Sequence, residues 1–349
     1  MNDHPDREPG SPDLSGALEA VEEFLLGEQP SLTRVQVAEK AGVPLPVAEQ
    51  LWRLLGFPHA ADEDVAFTPA DVQALVHSSE LMELGILSTD RQAALVRTWG
   101  RSYARLAEWQ TTLLTDVALE ADDPVAQLTE LAEQVLPRVE SLQAYVWRRH
   151  LASAASRTLA VDSIGSPATQ LAVCFVDIVG YTSHSKSLSE AELVGWIERF
   201  EDATTGVVAD HGGRVIKNIG DEVLFVADDP LAAAEIALAM TARGADPDDE
   251  FPQVRAGLAY GEVVSRLGDV FGEVVNIASR LTSVARPCSV LVDRGAYEAL
   301  SGLVESDEAT DSDTPSYSFR RLRRTSVKGY ARLRPWVLRR SGAGEVSGS

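Results

Sequence analysis

Apolar residues in the first half of the chain recur every three or four positions, the spacing of helices that bury one face. The rhythm sets in at Leu18. The stretch SLTRVQVAEKAGVPLPVAEQLWRLLGF (Ser31–Phe57) then predicts a short helix, a turn at Gly42 and a second helix ending at Gly56. Ser31 or Thr33 is placed to cap the first helix, since a hydroxyl there satisfies an N–H of the opening turn. In VAFTPADVQALV, Thr68 followed by Pro69 reads as an N-cap with proline at the first helical position, where its missing N–H costs nothing. Two longer helical patterns follow, from about Asp90 to Leu119 and from about Pro124 to Leu159. In the first of them Trp99, Tyr103, Leu106, Leu113 and Val117 fall mainly on one face.

After Leu159 the pattern changes. VDSIGSPATQ is small and turn-prone, a joint between domains. LAVCFVDIV is a near-continuous β-branched run, the signature of a buried strand. A helix from about Ser189 to Ala209 follows, then GRVIKNI and DEVLFVA as two strands joined by a tight turn at Gly220. Helix LAAAEIALAMTA, strand VRAGLAYGEVV, helix VVNIASRLTSVA and strand SVLVD complete a βαββαβ order. That order predicts an α+β fold, a ferredoxin-like or palm sheet with helices on one face, preceded by an all-α domain. The expected boundaries are a disordered N-terminus (1–15), a helical domain (16–160), a linker (161–169), a sheet domain (170–340) and a flexible tail (341–349). The acidic stretch ESDEATDSDTPS reads as a solvated loop before two closing strands.

Composition narrows the classes. With 45% hydrophobic and 24% charged residues, the 349-residue chain is ordinary for a globular protein of two domains. Its formal net charge of -22 argues against general nucleic-acid affinity, which demands a positive face. The two cysteines, Cys174 and Cys288, sit in apolar runs without CxxC spacing, so buried free thiols are expected. The N-terminus carries no apolar segment of a signal peptide, and no run of about 18 apolar residues could span a bilayer. A soluble, cytoplasmic protein is the expectation.

Chemistry concentrates in three strings: CFVDIVGYT, VIKNIGDEVLF and GDVFGEVVNIASR. Asp177 ends the first sheet strand and Asp221 opens the strand after the Gly220 turn. In a hairpin packed beside the first strand those ends meet, and two such carboxylates repel unless a cation lies between them. Hard oxygen ligands suit Mg2+ or Mn2+. Either Asp alone is equally well explained as a turn residue; the pair in this fold order is not. The VGYT turn can aim the backbone N–H groups of Gly180, Tyr181 and Thr182 at phosphate oxygens, although such turns are common. Lys217 and Asp269 offer one donor and one acceptor for reading a base, adenine or guanine. Viewed singly, the one is a solvated strand lysine and the other a turn residue. Asn276 and Arg280 stand four apart on one helix face, where an Arg can reach phosphate and an Asn can orient a ribose. Lys328 offers a point charge for a terminal phosphate, in a strand that is basic throughout.

Jointly these strings, from about Gln170 to Arg339, resemble the class III nucleotidyl cyclase catalytic domain. The resemblance implies that Asp177 and Asp221, with the Ile178 carbonyl, hold two Mg2+ or Mn2+ ions per active site. It implies that Lys217 and Asp269 select adenine over guanine, that Asn276 positions the ribose and that Arg280 stabilises the transition state. Lys328 matches the family's triphosphate-binding lysine, and Arg266 is a weaker candidate for phosphate contact. The implied reaction converts ATP to cyclic AMP and pyrophosphate. In the family the metal acids and the base readers of one site come from opposite subunits, so a homodimer is implied. Guanylate cyclase is the alternative by substrate. Diguanylate cyclase is disfavoured, because its longer signature is missing and NIASR has no place in it.

The helical half resembles the regulatory domain that precedes the cyclase domain in some actinobacterial enzymes, through LTRVQVAEKAGVPLPVAEQLWRLLGFP, VAFTPADVQAL and VWRRHL. Related domains are linked to pH sensing and lipid binding, which implies a small-molecule or lipid regulator, or a proton acting on His59, His77 or His150. Its opening helices also have a helix-turn-helix rhythm, so a DNA-binding regulator is the rival function. From Ser31 to Glu80 three basic residues face seven acidic ones, a balance unsuited to a phosphate backbone, and no nucleic-acid partner is expected.

Overall fold

Local capping chemistry sets the helix ends of the N-terminal half. In the computed structural model, which describes residue 23 and residues 25–84, 89–160, 168–306, 317–322, 325–327 and 330–341, the chain divides into two units, 1–164 and 165–349. Strand β1 (Leu32–Thr33) leads into α1 (Arg34–Ala41), where Thr33 and Gln36 exchange side-chain bonds with each other's N–H groups in a capping box. Gly42, at φ 68°, closes α1, and Gly56, at φ 83°, closes α2 (Leu45–Leu55). Strand β2 (Val65–Phe67) pairs antiparallel with β1, so this unit is not purely helical as expected. At the start of α3 (Pro69–Glu83) the Thr68 N–H and hydroxyl both donate to Asp71 Oδ2, at 2.8 and 3.1 Å.

Val37, Ala48, Trp52 and Leu75 form the small core of these helices, with the Trp52 ring 4.8 Å from Phe67. Arg34, one of the few cations here, is held by Glu49 (2.8 Å) and Asp62 (2.6 Å). Helix α4 (Thr89–Leu119) crosses the end of α2 at Gly100, where any Cβ would lie 2.3 Å from the Leu55 carbonyl oxygen. With α5 (Pro124–Ala160) it flanks a groove of about 980 Å³ lined by Trp99, Tyr103, Leu113, Leu136, Val146 and Trp147. Among the described residues no helix is long and apolar enough to cross a membrane.

The C-terminal unit is built on β3 (Ala168–Ile178), the buried run of the sequence. In chain order follow α6 (Tyr181–Ser185), α7 (Glu190–Asp210), β4 (Arg214–Ile219), β5 (Glu222–Ala227), α8 (Pro230–Arg243), β6 (Val254–Arg266) and β7 (Asp269–Phe271). Then come α9 (Glu273–Val284), β8 (Val290–Val292), α10 (Arg294–Ser306), β9 (Tyr317–Arg321), β10 (Thr325–Val327), β11 (Tyr330–Leu333) and β12 (Trp336–Arg340). The main sheet runs β4-β5-β3-β6-β8-β12-β9, with β7 added to β6 and β10–β11 as a separate hairpin. Its one parallel pairing is β6 with β8, across the α9 connection; the other pairs are antiparallel.

Alternation along β3 sends Cys174, Val176 and Ile178 to one face, packed with α7, α8 and α10. Leu171, Val173 and Phe175 point to the other face, where they meet Val274 and Ala278 of α9. The expectation of helices on a single face is thus corrected: α7, α8 and α10, with Tyr181 of α6, lie on one side and α9 on the other. Gly257 on β6 lets α9 lie close against that face. A Cβ there would sit 2.3 Å from the Thr282 amide nitrogen and 2.4 Å from the Ala278 carbonyl oxygen, so α9 rests directly on bare strand. The Thr282 hydroxyl completes the contact by donating to the Phe175 carbonyl at 3.2 Å.

Cys174 and Cys288 are free; the first is buried and the second half-buried. Residues 1–15, linker residues 161–167, Lys328, the acidic stretch from 307 and the tail from 342 lie outside the described residues.

The contact at Gly257 is backbone against backbone, so a methyl group cannot be absorbed by a rotamer change. Gly257→Ala is expected to destabilise the chain by about 1–3 kcal/mol or more, the cost of overpacking a tight contact. An unchanged urea midpoint would refute the close approach.

Candidate active site

Strand register brings the acids together. Asp177 lies directly across from Glu222 on β5 and from Arg255 on β6, forming one rung of the sheet. Gly220, at φ 65°, makes the turn that delivers Asp221, and the Ile178 N–H donates to the Asp221 carbonyl at 3.1 Å. Asp177 and Asp221 therefore stand side by side, close enough for their carboxylates to interact directly. Burial, chiefly, and the facing Asp221 carboxylate raise the Asp177 pKa above the ordinary range, against the pull of Arg255. That pull is direct: Arg255 Nε and Nη2 both reach Asp177 Oδ2, at 2.7 and 2.6 Å.

Glu222 feels the same crowd. Burial first, then the charges of Asp177 and Asp221, push its pKa up to about 7, while Arg255 lowers it. Neither Arg255 nor Glu222 was among the residues picked from the sequence. The signal was present: VRAG sets one arginine in an otherwise apolar strand, and Glu222 directly follows Asp221. Each reads from sequence as a solvent-facing position of an alternating strand.

A second cluster forms on the outer strands. A bulge between Val215 and Lys217 shifts β4 so that Lys217 pairs with Leu224. Its Nζ donates to Asp269 Oδ2 at 2.6 Å, joining residues 52 positions apart, and Asp269 Oδ1 accepts the Val270 N–H at 2.9 Å. Arg266 faces Asp269 across the β6–β7 hairpin and is exposed. The hairpin tip is Leu267–Gly268, with φ of 55° and 80°. Asn276 and Arg280 sit one turn apart on α9, the first exposed and the second half-buried. Gly180, at φ 74°, is the N-cap of α6, and Tyr181 stacks on Trp196 with ring centroids 5.9 Å apart. The structure thus joins Asp177 to Asp221 and Lys217 to Asp269; Lys328 lies outside the described residues.

The donor set bears on which cation the site suits. Among the described residues no cluster of three or more His, Cys, Asp or Glu side chains is arranged to ligate a metal. Two adjacent carboxylates are nevertheless donors that Mg2+ prefers, since it keeps its remaining positions for water and substrate phosphate oxygens. The residues fit a hard divalent cation that arrives with an anionic substrate.

Comparison with known proteins bears on the family of the chain. Residues 165–340 match the family model described as the adenylate and guanylate cyclase catalytic domain. Over 361 residues the chain is 38% identical to an adenylate cyclase of Streptomyces coelicolor, covering 97% of this chain and 93% of that protein. It is 32% identical over 314 residues to a pH-sensitive adenylate cyclase of Mycobacterium tuberculosis, covering 85% and 76% respectively. Among solved structures, the catalytic core of a rhodopsin-guanylyl cyclase of converted specificity, bound to ATPαS, aligns with 50% of this chain and 97% of its own at a TM-score of 0.43 and 20% identity.

Glu222 makes the site's electrostatics measurable. The folded chain keeps this proton up to about pH 7, whereas an ordinary glutamate, at 4.5, has already lost it. Folding therefore loses stability as pH rises between those values. In metal-free buffer Glu222→Gln is expected to leave the thermal midpoint nearly unchanged at pH 5 and to raise it above wild type at pH 8. An equal difference at both pH values would show that Glu222 is not held protonated by its neighbours.

Proposed function

The chain belongs to the adenylate and guanylate cyclase catalytic-domain family, and on that premise we propose that it is an adenylate cyclase, converting ATP to 3′,5′-cyclic AMP and pyrophosphate between two copies of itself. The observation that carries the substrate assignment is the Lys217–Asp269 pair. One cationic donor and one anionic acceptor meet at a single point, which suits the ring nitrogen and exocyclic amine of adenine. Both side chains are substantially exposed (43% and 31%), so their mutual bond is worth no more than about 1 kcal/mol. A base can replace it at little cost.

The remaining roles are assigned by likeness to the family. Asp177, Asp221 and the Ile178 carbonyl would hold Mg2+ or Mn2+, two ions per site by analogy with the family. Bound there, such ions would lower the pKa of the ribose 3′-hydroxyl and offset charge on the polyphosphate. Asn276 orients the ribose so that its 3′-oxygen lines up with the α-phosphorus, and Arg280 stabilises the charge that grows on the phosphoryl oxygens. Arg266, Lys328 and the N–H groups of Gly180, Tyr181 and Thr182 receive the phosphates. The 3′-oxygen forms its bond to the α-phosphorus as the bond to pyrophosphate breaks.

Exposed apolar side chains support the two-copy arrangement. Ile219, Val264, Leu267 and Phe271 lie on the strands and hairpin that carry Lys217 and Asp269, each about half exposed. Apolar surface of that kind calls for a cover. For the helical unit we propose a regulatory role. The α4–α5 groove would accept an apolar regulator, and likeness to a pH-sensitive relative supports a proton as a second input, with His59, His77 and His150 as the groups to test.

The chain is expected to form cyclic AMP only with Mg2+ or Mn2+, to prefer ATP over GTP by about tenfold or more, and to lose activity on Asp177→Ala or Asp221→Ala. Mixing Asp177→Ala with Lys217→Ala chains rebuilds one intact site in each mixed dimer. Random pairing then returns about a quarter of wild-type activity. No recovery in verified mixed dimers would refute the shared site, and GTP preference would reassign the substrate.

A further inference from the structure

We infer that Arg255 is a built-in counter-ion that occupies Asp177 until a divalent cation arrives, so that the cation binds only by displacing it. This rests on the reading of Asp177 as a metal-holding acid. Two N–H groups of one guanidinium converge on Asp177 Oδ2, at 2.7 and 2.6 Å. A carboxylate oxygen offers about two acceptor sites, and here both are spent on Arg255. While the pair persists, that oxygen has nothing left for a metal, and a cation beside it would face the guanidinium as a like charge.

The need for a counter-ion is visible in the rung itself. Asp177, Asp221 and Glu222 converge, and among the described residues Arg255 is the cation ion-paired with them. Register fixes the Arg255 backbone, because β6 pairs with β3 along its length. Its side chain has an exit, being one-third exposed where Asp177 is 15% exposed. It also has a second anchor: Nη1 donates to the Ser283 carbonyl in the last turn of α9, at 3.3 Å. That carbonyl belongs to the negative end of the helix, which favours a cation. Arg255 can therefore leave Asp177 without becoming unpartnered, which gives the side chain two rest positions.

Metal affinity is then reduced by the fraction of chains in which Asp177 is occupied. With nucleotide absent, Mn2+ binding to the full chain, followed by the EPR signal of free Mn2+, is expected to be about tenfold tighter in Arg255→Gln than in wild type. Arg255→Lys keeps the charge but loses the two-pronged contact, and should shift the affinity in the same direction by less. Arg255→Gln should also melt below wild type without Mn2+, and the gap should close at saturating Mn2+. Equal or weaker Mn2+ binding by Arg255→Gln, with binding lost in Asp177→Asn, overturns the counter-ion and leaves the metal site standing. Unchanged binding in Asp177→Asn overturns the metal site itself. Should Arg255→Gln not fold, Arg255→Lys decides, and affinity equal to wild type is then the overturning result.

Discussion

Helix α9 can lie on the sheet only because β6 offers it a bare backbone at Gly257. Much of the site depends on that contact. It lets Thr282 donate to the Phe175 carbonyl, two residues before Asp177, and so couples the helix to the strand that ends in the acid. It leaves Asn276 and Arg280 on the upper side of the helix, and it brings the Ser283 carbonyl within reach of Arg255. The opposite face of the sheet carries most of the apolar packing, with α7, α8 and α10. One face thus provides stability, while the thinly covered one provides chemistry.

Burial decides which of the charged pairs governs behaviour. Arg34 with Asp62, Arg214 with Asp228, and Lys217 with Asp269 all involve at least one well-exposed partner, and pairs of that kind contribute little. Asp177 and Glu222 are different. They are half-buried and share a rung with like charges, so desolvation outweighs pairing and holds both carboxyls above their ordinary pKa. The chain is strongly acidic overall, and at this rung three carboxyls crowd where water disperses their charge poorly.

Features set by near neighbours were the legible ones. Thr33, Thr68, Gly42 and Gly56 mark helix ends through bonds spanning a few residues, and the structure ends its helices there. The β3 run and the hairpin after Gly220 were equally plain, and with them the meeting of Asp177 and Asp221. What stayed hidden depends on distant partners. The β1–β2 pair is too short to show a period. The closeness with which α9 packs on the sheet follows from one glycine, which composition cannot single out. Arg255 looks like any polar residue in an alternating strand until the register sets it against an acid 78 positions away.

The bulge in β4 has a practical consequence for anyone tracing these enzymes through sequence or altering their base preference. Between Val215 and Lys217 the count along β4 runs one residue ahead of the count along β5. An alignment that places residues by regular two-residue alternation from Val215 would assign Lys217 to the wrong side of the strand. The stretch from Val215 to Lys217 is therefore a ruler with one extra notch, and the face on which Lys217 meets Asp269 is set by a chain length as much as by the identity of a side chain.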